Sequence, residues 1–316
     1  MLLDIDELYE ELDYTDNVME IGKNYARLAD GKLYSLSWEN NVEYFWYHKD
    51  LFEQAGITET PKTFDEFLQV CQQLKDAGIT PIATWPGWES YRWMAFIPYR
   101  LTGNEYIDSL KTGEASFGDD AGIQAAEFFQ TLGTEYFQPG WSTSDYTNAL
   151  ETFMSSNAAI YYIGSWQFSS FLDENGEIKD DYGYFKLPTT EGAVNGETAM
   201  FANAGTGTCV NKEKYDDQLK DFLQYVLENY PNVAFNESNT LPPMTFEAEG
   251  GMSQFWQSVV EDCESMEDYA KTWDVTLDAA TVETLSREST NLGMGEITPE
   301  EFAERMDSAL QANVSE

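Results

Sequence analysis

An α/β fold in two lobes is predicted for this chain, and three observations carry the expectation. The segment VEYFWY (42–47) is aromatic and β-branched, which predicts a strand. Thr63, with Glu66 three residues on, marks a helix start; Phe64, Phe67, Leu68, Cys71 and Leu74 then recur at helical spacing. Beyond Gly78, ITPIAT (79–84) reads as a second short strand, so strand, crossover helix and strand form a βαβ unit with parallel pairing. At 316 residues the chain is long for a single core, which favours two lobes.

The remaining elements follow in order. Asp119 or Asp120 caps a helix running to about Phe137, and Asp145 to Met154 is a second one. AAIYYIG (158–164), bounded by Asn157 and Gly164, predicts a buried strand. Asn175-Gly176 suits a tight hairpin turn between Phe171 and Ile178. From Lys212 to Tyr230 a helix carries the stripe Tyr215, Leu219, Phe222, Leu223, Val226 and Leu227, and Pro231 is expected to end it. Thr298, Pro299 and Glu301 open the last helix, with Phe302, Met306 and Leu310 on its buried face. There is no internal repeat and no low-complexity tract.

Composition excludes several functions. With 57 acids against 17 bases the net charge is −40, a field that repels phosphate backbones and anionic lipid, so no nucleic-acid partner is expected. Cys71, Cys209 and Cys263 are odd in number and widely spaced, which supports neither a disulfide framework nor a zinc ribbon. No run of about 18 apolar residues predicts a membrane-spanning helix. The acidic start MLLDIDELYEELDY does not read as a signal peptide. His48 is the sole histidine, and no nucleophile elbow accompanies it. DENGEIKDD (173–181) is oxygen-rich, but its glycine falls at the fourth position where a calcium loop needs the sixth, so a turn is preferred. NAGTGTCV (203–210) lacks the third glycine and the lysine of a phosphate cradle. No cofactor or metal is therefore expected.

Trp38, Trp85, Trp88 and Trp166 sit in polar or Gly/Pro-broken segments, SLSWENN, ATWPGWES and IGSWQ. A core tryptophan is the commoner fate of any one of them, since large aromatics dominate burial. Their recurrence beside Asn, Glu and Ser suits a ligand with an apolar face and a rim of hydroxyls, as in a sugar. A glycoside hydrolase shares this composition: it needs two carboxylates about 5–9.5 Å apart, and nothing in the sequence singles out such a pair.

Residues 30–67 (DGKLYSLSWENNVEYFWYHKDLFEQAGITETPKTFDEF) resemble a G-K-x-Y … Y-N-K-D-L-F-x-x-A-G-I … T-W-D-E-F run, that of the carbohydrate-binding group of bacterial ABC-importer extracellular solute-binding proteins. AIYYIGSWQ (159–167), GYFKLPTTEG (183–192), residues 202–227 and MGEITPEEFAERMDSAL (294–310) resemble later segments in the family's order. The resemblance implies a two-lobed periplasmic-binding-protein-like fold of type II, with a ligand cleft between the lobes. It divides the chain into 1–40 plus 206–272 as lobe one and 41–205 plus 273–316 as lobe two. By position it implies ligand contacts from Trp38, Glu39, Asn41, Trp85, Trp88, Glu89, Trp166, Asn203, Gly205 and Trp273, with Asp274 beside the last. Family members carry further strands before the point that matches Met1, so lobe one is expected to be incomplete and to invite self-association. The implied function is binding of a sugar or oligosaccharide at the cell surface for an ABC permease in the membrane, without catalysis. The alternatives are the carbohydrate-active enzyme and a truncated remnant that binds nothing.

Overall fold

The structure, a computed structural model, describes residues 1–28, 30–266 and 269–314. The strands are β1 (Asn41–His48), β2 (Ile82–Ala83), β3 (Ile160–Gly164), β4 (Tyr182–Phe185), β5 (Met200–Asn203) and β6 (Tyr269–Ala270). The helices begin with α1 (Ile5–Glu11), α2 (Glu20–Tyr25), α3 (Lys49–Gln54), α4 (Phe64–Asp76), α5 (Trp88–Thr102) and α6 (Glu105–Thr112). They continue with α7 (Asp120–Glu135), α8 (Tyr146–Met154), α9 (Asp217–Ser238) and α10 (Gln254–Ser265). The C-terminal set is α11 (Trp273–Thr276), α12 (Ala279–Gly293) and α13 (Pro299–Val314). The mixed α/β class expected from sequence is therefore observed.

The chain forms two compact units. Unit 1 is Met1–Glu43, Gly164–Lys179 and Ala202–Met266; unit 2 is Tyr44–Ile163, Asp180–Phe201 and Glu267–Glu316. The division drawn from sequence differs most at 164–179, which it kept with 41–205. That segment packs in unit 1 because its hairpin is held by α10: Ser253 Oγ donates to Gly176 O at 2.7 Å and Gln254 N to Glu177 Oε1 at 2.7 Å. The turn itself is as expected, with Leu172 bridged to Ile178 and Gly176 at φ +75°.

Unit 2 is built on aromatic packing. Phe45 of β1 stacks on Phe185 of β4 at 4.9 Å and lies 4.6 Å from Tyr162 of β3. α4 covers them with Phe67 and Cys71, both fully buried, and its start is the expected capping box of Thr63 and Glu66. β2 and β3 pair in parallel, but β2 does not pair with β1, because β3 lies between them. The expected βαβ unit therefore has β3 inserted at its centre. The uninterrupted apolar run of β3 explains this, since a strand buried along its whole length takes an interior place. His48 is a core residue: its Nε2 donates to Phe153 O at 2.7 Å, with the Phe153 and Tyr182 rings beside it. α13 starts as the sequence predicts, with Thr298 Oγ1 accepting from Glu301 N.

In unit 1, Leu3, Ile5, Leu8 and Tyr9 pack with Leu33, Leu36, Leu223 and Leu227. Three expectations for the helix after Lys212 are corrected here. Residues Lys212–Lys214 form a separate 3-10 turn, and α9 begins at Asp217 under the Asp216 cap. It then continues through Pro231 to Ser238. Proline removes the N–H that would bond the carbonyl four residues back. That carbonyl, Leu227 O, instead accepts from the Tyr14 hydroxyl at 2.6 Å, so the helix survives. Phe222, expected on the buried stripe, is 59% exposed. Leu219, Leu223 and Leu227 repeat every four residues and line one face, and Phe222 projects about 100° to the side of Leu223.

Two tests follow from the packing of unit 2. A Cβ on Gly133 of α7 would lie 2.3 Å from the Gly293 carbonyl oxygen of α12, a backbone atom that cannot swing away. Helix propensity alone favours Gly133→Ala by ~1 kcal/mol, whereas forced separation costs roughly 1–3 kcal/mol. A lowered urea midpoint is therefore expected, and a raised one would refute the contact. Glu288 of α12 is buried and accepts from Arg305 of α13 at 2.7 Å, from Arg287 at 2.8 Å and from Asn291 at 3.2 Å. Burial pushes its carboxyl up, but the bonds from Arg305, Arg287 and Asn291 prevail and hold it below 4.5. A depressed carboxylate stabilises the fold above its unfolded pKa, and that contribution is lost as pH falls through the folded value. Glu288→Gln should thus lower the neutral-pH thermal midpoint by roughly 2–4 °C. The gap should close as pH falls below 4.5, read from melts of both proteins across the acid range.

Candidate functional site

The residues singled out from sequence fall into two groups, one in each unit. In unit 1 the organising feature is a buried polar network. Asn41 opens β1 and is paired in register with Asn203 at the end of β5. Asn41 Nδ2 donates to Glu39 Oε2 at 2.8 Å and to Asn203 Oδ1 at 3.2 Å, while its Oδ1 accepts from Ser165 Oγ at 2.8 Å. Asn203 Nδ2 donates to Glu43 Oε1 at 3.3 Å, and Asn203 Oδ1 also accepts from Gly205 N at 2.9 Å. Gly205 has φ +65°, and a Cβ there would come within 2.9 Å of Glu39 Oε2. Glycine is thus required by both backbone and space. The structure brings Glu39, Asn41, Asn203 and Gly205 together, and adds Glu43 and Ser165.

Trp38 and Trp166 flank this network in the sequence, and both are partly exposed. Trp38 is held at both ends: its Nε1 donates to Thr208 Oγ1 at 2.7 Å, and its ring meets Tyr230 edge-on at 5.1 Å. The Tyr230 hydroxyl closes the arrangement by donating to Trp38 O at 2.9 Å. Trp166 folds back over Gly164, where a Cβ would lie 2.1 Å from the indole. The Gly-Ser-Trp sequence is therefore one steric unit: glycine admits the ring, and Ser165 joins the network.

In unit 2 the second group forms where β2 meets α5. Gln138 clasps the Thr84 backbone, accepting from its N–H at 2.8 Å and donating to its carbonyl at 2.6 Å, which fixes the chain just before Trp85. Gly87 then turns with φ +134°, a conformation that L side chains rarely adopt, and α5 starts at Trp88. Trp85 meets Trp88 edge-on at 5.3 Å and Tyr146 at 5.2 Å, with Tyr161 at 6.1 Å. Glu89 is fully buried, accepting from Trp93 Nε1 at 3.2 Å and Trp85 N at 3.4 Å. Burial, reinforced by the nearby Glu89 charge, pushes the Tyr161 hydroxyl far up, so it stays protonated and remains a donor. Arg92, one turn beyond Trp88, bonds Asp274 Oδ1 at 2.8 Å and lies 5.2 Å from the Trp88 ring centroid.

Three placements differ from the sequence expectation. Trp88 and Glu89 lie on the first turn of a helix, where a loop was expected. Trp85 is only 5% exposed, so its faces are largely taken by Trp88, Tyr146 and Tyr161. Trp273 is 2% exposed and packs edge-on against Phe117 at 5.7 Å, a core position that offers no open face. Sequence reading missed Arg92, Tyr146 and Tyr161. The usable signal for Arg92 was its i+4 spacing from Trp88, which α5 turns into contact. Among the described residues no group of acids, histidines or cysteines has the arrangement of a metal site.

Comparison with known proteins bears on this arrangement. A chitin oligosaccharide binding protein of known structure superposes with a TM-score of 0.84 at 26% identity, covering 100% of this chain and 79% of its own. The diacetylchitobiose binding protein of Streptomyces coelicolor is 22% identical over 255 residues, 77% of this chain. The multiple sugar-binding protein of Streptococcus mutans is 26% identical over 205 residues, 58% of this chain. The chain spans about half the length of these two relatives, 56% and 46% respectively. Residues 2–229 match the sequence pattern of the bacterial extracellular solute-binding proteins, and the chain belongs to that family.

Proposed function

We propose that the protein binds a carbohydrate, an oligosaccharide in preference to a single sugar, outside the cell for uptake through an ABC permease. The observation that carries this reading is the partly exposed Trp88, set edge-on to Trp85. Indole faces supply flat apolar area for sugar C–H groups, at about 0.5–1.5 kcal/mol per aromatic contact beyond burial. Trp38 and Trp166, partly exposed beside the network of unit 1, supply comparable surfaces. At the edge of that network the partly exposed Glu39 offers its carboxylate to a hydroxyl rim, and Asn41, Asn203 and Gly205 hold it from within. A buried polar group left unpaired by the wrong sugar costs roughly 1–3 kcal/mol, which gives the discrimination. The names of the relatives, which bind chitin oligosaccharide, diacetylchitobiose and multiple sugars, support an oligosaccharide and favour β-linked N-acetylglucosamine units.

Trp85 and Glu89 act in this reading as supports that hold Trp88, and Trp273 is left to the core. No bond is broken, so binding is the whole function. Calorimetry against chito-, cello- and malto-oligosaccharides of two to six units tests the proposal. Trp88→Ala and Trp166→Ala should each weaken binding about tenfold or more. Trp273→Ala should lower stability, roughly 3–5 kcal/mol, as a core truncation does. Absence of heat with every sugar would overturn the proposal, and hydrolysis products on chromatography would replace it with the enzyme reading.

A further inference from the structure

We propose that Arg92 is a positioning residue that fixes the Trp88 indole in its ligand-accepting orientation, with Asp274 fixing Arg92 in turn; this rests on the reading of Trp88 as a ligand contact. The α5 helix begins at Trp88, Gly87 before it supplies no side-chain cap, and the first turn is held by side-chain contacts such as that of Trp85 with Trp88. Arg92 supplies another. Its guanidinium lies 5.2 Å from the Trp88 ring and 5.8 Å from the Phe201 ring, and its Nη1 is 2.8 Å from Asp274 Oδ1. Helix α5, strand β5 and helix α11 therefore meet at one planar cation.

The burial of this group is the second line of argument. The Arg92 side chain is only 6% exposed, and that of Asp274 24%. Removing an ion pair from water is expensive, and an apolar residue of similar volume usually serves stability as well or better. A buried arginine that touches two rings and one carboxylate instead supplies direction: a rigid fork fixed by Asp274, with its plane available to aromatic faces. Lysine, a point charge on a flexible stem, cannot reproduce the fork or the plane.

The test is a double-mutant cycle on the whole protein, with Trp88→Ala, Arg92→Met and the double variant, and Arg92→Lys and Asp274→Asn beside them. Binding is read by calorimetry with N-acetylglucosamine oligomers of two to six units. In parallel, acrylamide quenching without sugar is read as the difference between proteins with and without Trp88. Arg92→Met should weaken binding roughly tenfold with Trp88 present and by no more than about twofold in the Trp88→Ala background. It should also increase the quenching that depends on Trp88, and Arg92→Lys should rescue neither readout. Asp274→Asn should move both in the same direction by less. Equal losses in both backgrounds, or unchanged quenching, overturn the positioning role even if the sugar binds. A wild-type protein that binds none of these oligomers overturns the preference for N-acetylglucosamine units, and the quenching difference alone then decides whether Arg92 orients Trp88.

Discussion

Asn41, Ser165 and Asn203 are far apart in sequence, yet they meet in a single buried hydrogen-bond network. Each lies within a few residues of a point where the chain passes from one unit into the other, at 43/44, 163/164 and 201/202. The network is nearly closed to water, so its amides and hydroxyl must satisfy one another. An unmade bond there leaves a buried polar group at a cost of about 1–3 kcal/mol. This constraint fixes the register of β1 against β5 and determines where Glu39, Trp38 and Trp166 can stand. The candidate binding residues of unit 1 are in that sense consequences of how the chain satisfies its own backbone crossings.

Unit 2 solves the same problem with packing. Its aromatic core holds α4, α5 and the strands as a body in which Trp88 is placed by largely buried side chains. Glu89 and Arg92 are both buried, and both serve neighbouring tryptophans, Glu89 through Trp93 and Arg92 through Trp88. One unit thus positions polar groups through polar partners, and the other positions an indole through a carboxylate and a cation beneath the surface.

Elements with strong local signals were legible in the sequence. The Thr63–Glu66 and Thr298–Glu301 boxes, the apolar run of β3 and the Asn175-Gly176 turn all depend on residues close in the chain, and all are found where expected. Helix α5 was not legible, because WESYRWMAFIPYRLT is apolar on most sides and carries Pro98, which hides a helical period. A helix buried all round has no polar face to mark its phase. The run of α9 through Pro231 depends on the bond that Leu227 accepts from Tyr14, 213 residues away in sequence, and no local reading reaches that far. The site shows the same division. Tryptophans in polar segments were visible as candidates, but a packed indole such as Trp273 and a partly exposed one such as Trp88 differ only in tertiary surroundings.

The Tyr14–Leu227 bond ties two distant positions of the chain together. Pro231 leaves a carbonyl orphaned within α9, and the Tyr14 hydroxyl occupies it. An ordinary residue at 231 would restore an N–H to the same oxygen, which can accept two bonds, whereas loss of the hydroxyl beside proline would leave that oxygen without this partner. The two positions are therefore coupled energetically: losing the Tyr14 hydroxyl costs most while residue 231 is proline, and less once an N–H is restored there.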